Sequence, residues 1–206
     1  MNNRLISENK DRRRNKSMDN GASSYRRFLD GDDNGFVEIV RDYKDGLILF
    51  LDSFVRNLTV AEDLAEDTFV KLGIKKPHFS GKSSFKTWLY AIGRNVAVDY
   101  IRKESKRSSI SISELPTDEC IDLADRQTLE DAYLKEERKI VIHQALGELK
   151  PEYRQVLWLT YFEELSNKET AKIMRKSVHN IETLIYRARQ SLKSELVREG
   201  FTYEDI

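Results

Sequence analysis

The stretch ELSNKETAKIMRKSVHNIETLIYRARQSLKSEL, Glu164 to Leu196, reads as two helices joined by a short turn, the second ending in a basic run. Ser166 with Glu169 three residues on has the capping-box spacing that starts a helix. Ala171 with Ile173 or Met174 faces inward, Arg175 and Lys176 form a tight polar connection, and Ser177 suits the N-cap of the second helix. In that helix Val178, Ile181, Ile185, Ala188 and Leu192 fall along one side. The other side carries Ser177, His179, Asn180, Glu182, Thr183, Tyr186, Arg187, Arg189 and Lys193. A helix-turn-helix sets the start of its second helix in the major groove, where polar side chains meet base edges, and basic residues further along grip phosphates. Spacing alone leaves two readings open: a DNA-reading element, or a helical hairpin with a solvated charged face.

Upstream of this stretch the chain stays helical. Pro151 suits a first helical turn, and Val156, Leu157, Leu159, Tyr161 and Phe162 offer packing surface, as do Ile140, Ile142, Leu146 and Leu149 before it. Residues 108–132 are rich in Ser, Thr and Asp without a sustained period and read as a linker. The half before the linker is helical too. Phe36, Ile39, Val40, Tyr43, Leu47, Phe50, Leu51 and Phe54 recur at helical spacing, with Gly46 as a break between two helices. Thr59 and Glu62 have capping-box spacing for a helix whose inner face is Leu64, Ala65, Thr68, Phe69 and Leu72. After a loop holding Pro77 and Gly81, a long helix capped by Ser83 or Ser84 keeps Phe85, Trp88, Leu89, Ile92, Val96 and Tyr100 in period and ends in basic residues. Trp88 falls at a core position. The expected fold is all-α: a disordered basic tail (1–24), a helical domain (25–107), the linker, and a second helical domain (133–206).

Composition narrows the function. The 206 residues carry 35 basic and 35 acidic side chains, so partners are set by the pattern of charge, not its sum. No apolar run approaches a membrane span, and the N-terminus lacks the apolar core of a signal peptide. The one cysteine, Cys120, excludes an internal disulfide and fits a reducing cytoplasm; it reads as inert. The three histidines have no metal-ligand spacing, so neither metal nor cofactor is expected. No nucleophile constellation, paired carboxylates or phosphate loop argues for an enzyme.

Residues 149–196 resemble region 4 of the bacterial sigma-70 family, in its small extracytoplasmic-function (ECF) type: Leu165, Ser166, Glu169, Ala171, Tyr186, Arg187, Ala188 and Arg189 match its pattern. AEDLAEDTFVKL and FKTWLYAIGRNVAVDYIRK, with Phe85, Trp88, Leu89, Ile92, Arg94, Asn95, Asp99 and Arg102 in register, resemble its region 2. The resemblance implies a sigma factor that binds core RNA polymerase, recognises −35 and −10 promoter elements and helps open the duplex. It implies that Asp63, Glu66 and Asp67 dock on the β′ clamp helices, that the β flap of core polymerase is a further contact, and that the recognition helix reads the −35 element. It assigns the −10 strand to Phe79, Ser80, Gly81 and Lys82 in the loop and to Arg94, Asn95, Arg102 and Lys103 on the helix, although Phe79 fits a core role equally well. An anti-sigma factor is a common partner in the family, and no residue here identifies one.

The recognition helix departs from the family pattern. Where many members carry V-G-T-V-K-S-R, this chain has VHNIETL, Val178 to Leu184. Glu182 cannot hold a phosphate but can accept a hydrogen bond from a cytosine amino group. Two competing readings remain: a helix-turn-helix regulator that dimerises and ignores core polymerase, and a helical interaction protein with a degenerate sigma-like fold.

Overall fold

The computed structural model describes residues 20–108, 142, 144–198 and 200. All regular structure among them is helical, so the protein is all-α. The first bundle comprises α1 (residues 20–29), α2 (Asp33–Val55), α3 (Leu58–Lys75) and α4 (Phe85–Ser108). The second comprises α5 (residues 144–148), α6 (Pro151–Leu157), a π-helical turn over Trp158–Phe162, α7 (Asn167–Met174) and α8 (Val178–Arg198). Most of the tail, Cys120, Ile140 and the linker beyond Ser108 lie outside the described residues.

In the first bundle α2, α3 and α4 each pack against the other two. Leu47, Phe50 and Leu51 of α2, Ala61, Ala65 and Leu72 of α3, and Phe85, Leu89 and Ala97 of α4 are all but sealed from solvent. The inner face expected for α3 is the one found: Leu64, Ala65, Thr68, Phe69 and Leu72 are buried. Its start differs. Asn57, in extended conformation, is the N-cap, its side chain accepting from Val60 N at 3.0 Å, and Thr59 stands exposed inside the first turn. An asparagine there satisfies an orphan amide as well as a threonine would, and it adds one more turn-forming residue to the connection from α2.

The tail expectation also needs correction. Residues 20–24 belong to α1, and Ser24 is buried. The helix is held by an aromatic cluster, with Tyr25 ring to ring with Phe85 and Trp88 at 5.6 and 5.3 Å. The Tyr25 hydroxyl donates to the Pro77 carbonyl at 2.7 Å, and burial pushes its pKa up to about 12. So α1 fixes the start of the loop that precedes α4.

Gly46 does not break α2, which runs unbroken from Asp33 to Val55. Its missing side chain has another reason: a Cβ there would stand 2.5 Å from Glu163 Oε1 and 2.6 Å from the Tyr90 hydroxyl. The second bundle therefore packs directly on the first. The buried apolar residues of both form one contiguous cluster. In the second bundle Pro151 opens α6 at its first position, and Val156, Leu157 and Leu159 are buried, as are Leu146 and Leu149. Tyr161 and Phe162 are not: they are 52% and 46% exposed, because the wider π turn shifts the phase of the helix after Trp158.

Candidate nucleic-acid interface

The helix-turn-helix is built from local rules. Ser166 caps α7 in a full capping box: Glu169 N donates to Ser166 Oγ, and Glu169 Oε2 accepts from Ser166 N at 3.0 Å. The helix stops at Arg175, which takes the left-handed conformation at φ 55°. Ser177 then caps α8, accepting from Asn180 N at 3.2 Å. Ile181 and Ala188 of α8 are fully buried, while Ile185 and Leu192 are half-buried and Val178, expected inside, is exposed. Ser177, His179, Asn180, Glu182, Tyr186, Arg187 and Arg189 all face solvent, so the outer face of α8 is polar and open. Thr183 is half-buried and donates to the His179 carbonyl at 3.1 Å, and Lys193 is half-buried as well.

The carboxylates expected to meet a partner are displayed on α3. Asp63, Glu66 and Asp67 are exposed, on the side away from the buried Leu64 and Thr68.

The −10 candidates separate into three groups. Ser80, Gly81 and Lys82 lie exposed at the loop tip, where Gly81 takes φ 69°, a conformation that suits glycine. Phe79 is half-buried. Its ring packs on Phe85 at 5.7 Å and Trp88 at 5.1 Å, which commits it to the aromatic cluster and makes it the anchor of the loop. Trp88 is half-buried in the same cluster. Arg102 and Lys103 lie exposed near the far end of α4, Arg102 beside Asp99 at 3.3 Å. Arg94 and Asn95, in the middle of α4, are half-buried, with the end of α7 beside them. Asn95 Oδ1 accepts from Arg175 Nη2 at 2.7 Å, and the Lys82 carbonyl accepts from Lys172 Nζ at 3.1 Å. Arg94 Nε is buried without a hydrogen-bond partner, and burial followed by the charge of Arg175 lowers the Arg94 pKa.

Sequence reasoning did not find the residues that join the two bundles. Glu163 pairs with Lys86 at 2.5 Å, hydrogen-bonds Tyr90, and accepts from Trp158 Nε1 at 3.3 Å. Burial, then the Glu163 charge, raises the Tyr90 pKa well above its usual value, so the phenol keeps its proton and donates. Glu169 reaches across as well, its Oε1 accepting from Ser84 Oγ at 3.0 Å and Thr87 Oγ1 at 3.2 Å. Burial pushes the Glu169 carboxyl up, but the hydrogen bonds from Ser166, Ser84 and Thr87 outweigh it and the net pKa falls below 4.5. A folded-state pKa below the unfolded one gives stability that is complete above pH 4.5 and lost as pH falls through the lowered value. Urea unfolding of the wild type and Glu169→Gln should therefore differ at pH 7, with the gap closing as the pH drops below 4.5.

Among the described residues, no helix is long and apolar enough to cross a membrane, and no group of three or more His, Cys, Asp or Glu side chains is placed to hold a metal ion.

Comparison with known proteins completes the picture. The family model Sigma-70 region 2 matches residues 39–107, and Sigma-70, region 4 matches residues 139–192. ECF RNA polymerase sigma factor SigM of Bacillus subtilis is 34% identical over 157 residues, 76% of this chain and 92% of SigM. SigW of the same organism, also an ECF RNA polymerase sigma factor, is 32% identical over 170 residues, 81% of this chain and 91% of SigW. A crystallised sigma factor RpoE, in complex with the anti-sigma factor NepR from Bartonella quintana, superposes with a TM-score of 0.66 at 25% identity, covering 78% of this chain and 96% of RpoE.

Proposed function

Because the chain belongs to the ECF family of RNA polymerase sigma factors, we propose that its exposed side chains divide promoter recognition and polymerase docking among three surfaces. As a sigma factor it directs core RNA polymerase to promoters and initiates transcription there. In this division the outer face of α8 reads the −35 element. His179, Asn180 and Glu182 meet base edges, with Glu182 accepting from a cytosine amino group, while Arg187, Arg189 and Lys193 hold phosphates. The loop tip at Ser80, Gly81 and Lys82, with Arg94, Asn95, Arg102 and Lys103 of α4, holds the −10 strand, and Phe79 seats the loop from inside. Asp63, Glu66 and Asp67 dock on the β′ clamp helices. The chain is not itself an enzyme: the polymerase performs nucleotide transfer, and the chain acts beside it in the cytoplasm. An anti-sigma factor is a further partner, supported by the likeness to RpoE in its complex with one.

The observation that carries this division is the sorting of α8 by burial, with Ile181 and Ala188 enclosed and Glu182, Tyr186, Arg187 and Arg189 exposed. Charge reversal at Asp63 and Asp67 tests the docking surface. Both are exposed, so the fold should hold by circular dichroism while affinity for core polymerase falls roughly tenfold or more, as for rim charges that steer encounter. Unchanged affinity would remove these residues from the docking surface.

A further inference from the structure

We infer that Tyr25 of α1 is a positioning residue for the −10 strand: its hydroxyl holds the start of the loop before α4, so that Ser80, Gly81 and Lys82 meet the strand already shaped. The inference rests on the sigma-factor assignment and on the placement of the −10 strand at that loop tip.

The loop runs over residues 76–84 and is fastened at its entry, its middle and its exit. The entry is unfavourable by itself. Lys76, the C-cap of α3, takes φ 41°, a left-handed conformation that a residue with a side chain adopts at a cost. α1 holds that entry twice. The Lys76 ammonium lies over the Phe28 ring, 4.5 Å from its centroid, and the Pro77 carbonyl accepts from the Tyr25 hydroxyl at 2.7 Å. The middle is fastened by Phe79, whose ring packs on Phe85 and Trp88, the same two rings that Tyr25 contacts. The exit is fastened by Ser84, whose Oγ accepts from Thr87 N at 3.2 Å. Ser80, Gly81 and Lys82 lie between the last two fastenings and are exposed.

Tyr25 is built into this seat. The residue is 1% exposed, and a Cβ added at Gly21, one turn before it, would stand 2.5 Å from a Phe85 ring carbon, so α1 lies close against the first turn of α4. Burial keeps the phenol protonated, and a protonated phenol donates. For packing alone a phenylalanine ring would serve as well; the hydroxyl is spent on loop backbone. Promoter opening leaves the non-template strand single, and a loop ordered beforehand binds it without a further loss of conformational entropy. A loosened entry lets the loop sample other shapes, and that cost falls on the strand step alone. The carboxylates Asp63, Glu66 and Asp67 and the outer face of α8 lie outside the loop, so polymerase docking and −35 recognition do not draw on it.

The test uses core RNA polymerase loaded with the full chain, either wild type, Tyr25→Phe, Lys82→Ala or the double variant. Tyr25→Phe keeps the ring and with it the aromatic seat, so near-UV circular dichroism and affinity for core polymerase should match the wild type. Binding of an oligonucleotide carrying the −10 non-template strand of a promoter that the wild type transcribes should fall about threefold to tenfold, the worth of one neutral hydrogen bond. Permanganate reactivity of unpaired thymines in that promoter should fall with it. Lys82→Ala should weaken strand binding by itself, and Tyr25→Phe should then add little, because both act through the same tip. A tyrosine that serves the fold alone would give either no loss of strand binding or a loss that adds in full to that of Lys82→Ala, and each of these results overturns the inference. The two claims fail differently. Normal strand binding by Lys82→Ala removes the strand from the loop tip and the inference with it, whereas weakened binding by Lys82→Ala beside normal binding by Tyr25→Phe overturns the role of Tyr25 alone.

Discussion

Arg154→Ala should lower the stability of the full chain by on the order of 3 kcal/mol, the largest single-residue effect expected outside the apolar core. The guanidinium is buried and donates to three carbonyls, those of Ser53, Gly147 and Leu149. Hydrogen bonds from a charged donor contribute about 1.5–3 kcal/mol each, and truncation also strands the acceptors in a dry seam. Burial, and then the nearby charge of Arg56, lowers the Arg154 pKa, while Asp52 and Glu148 act the other way. A guanidinium nevertheless stays ionised at neutral pH. Lysine should recover little, because one compact ammonium cannot span carbonyls that the planar fork reaches from two nitrogens. Urea unfolding of wild type, Arg154→Ala and Arg154→Lys measures this. A loss under about 1 kcal/mol for the alanine variant would mean that solvent replaces the arginine freely and that the seam is not dry.

The second large effect concerns the duplex. Replacing Arg187 and Arg189 together with alanine should weaken −35 duplex binding by tenfold or more at low salt. It should also reduce the slope of log affinity against log salt by about 1.8, if each arginine neutralises one phosphate. Both side chains are exposed on α8, one on each side of the fully buried Ala188, so their loss leaves the packing of the helix intact. The effect should be nearly uniform across −35 sequences, since phosphate contacts carry no base information. A Glu182→Gln change should instead alter which sequences bind best and leave the salt slope almost unchanged. Fluorescence anisotropy across a salt series on several duplexes separates the two behaviours. If affinity and slope both survive the double arginine change, α8 does not lie on the duplex.

How much of this was legible in the sequence depended on how many neighbours each helix has. α3 packs its inner face on one side only, so its apolar period names its buried residues correctly. α4 is covered by the first bundle on one side and by α7 on the other. Thr87, against Glu169 of α7, and Tyr90, against Phe50 of α2 and Glu163, are therefore buried off the expected stripe, at 2% and 1% exposure. Gly46 read as a helix break because glycine usually weakens a helix, yet what it makes room for is the Tyr90 hydroxyl of α4 together with a glutamate far along the chain. Asn57 and Thr59 are both good caps, and only backbone geometry chose between them. Tyr161 and Phe162 were assigned to packing on a regular helical period that the π turn breaks. Of the candidate site, the polar face of α8 and the acidic face of α3 were legible because exposure there follows directly from amphipathic period. Phe79 was less so, since an aromatic ring in a loop serves base stacking and core packing alike, and its contacts with Phe85 and Trp88 come from far along the loop and helix. Glu169 was legible as a cap and illegible as a bridge: the first role lies within four residues of sequence, the second joins two domains.

The most direct test of the central claim is transcription in vitro from a library of promoter fragments, with core RNA polymerase alone and with the chain added. A promoter-directing sigma factor should yield transcripts only when the chain is present, starting at a restricted set of fragments that share a −35 and a −10 element. Charge reversal at Asp63 and Asp67 should reduce them in step with the loss of core affinity. Tight duplex binding with no stable complex with core polymerase and no transcript from any fragment would contradict it and leave a helix-turn-helix regulator in its place.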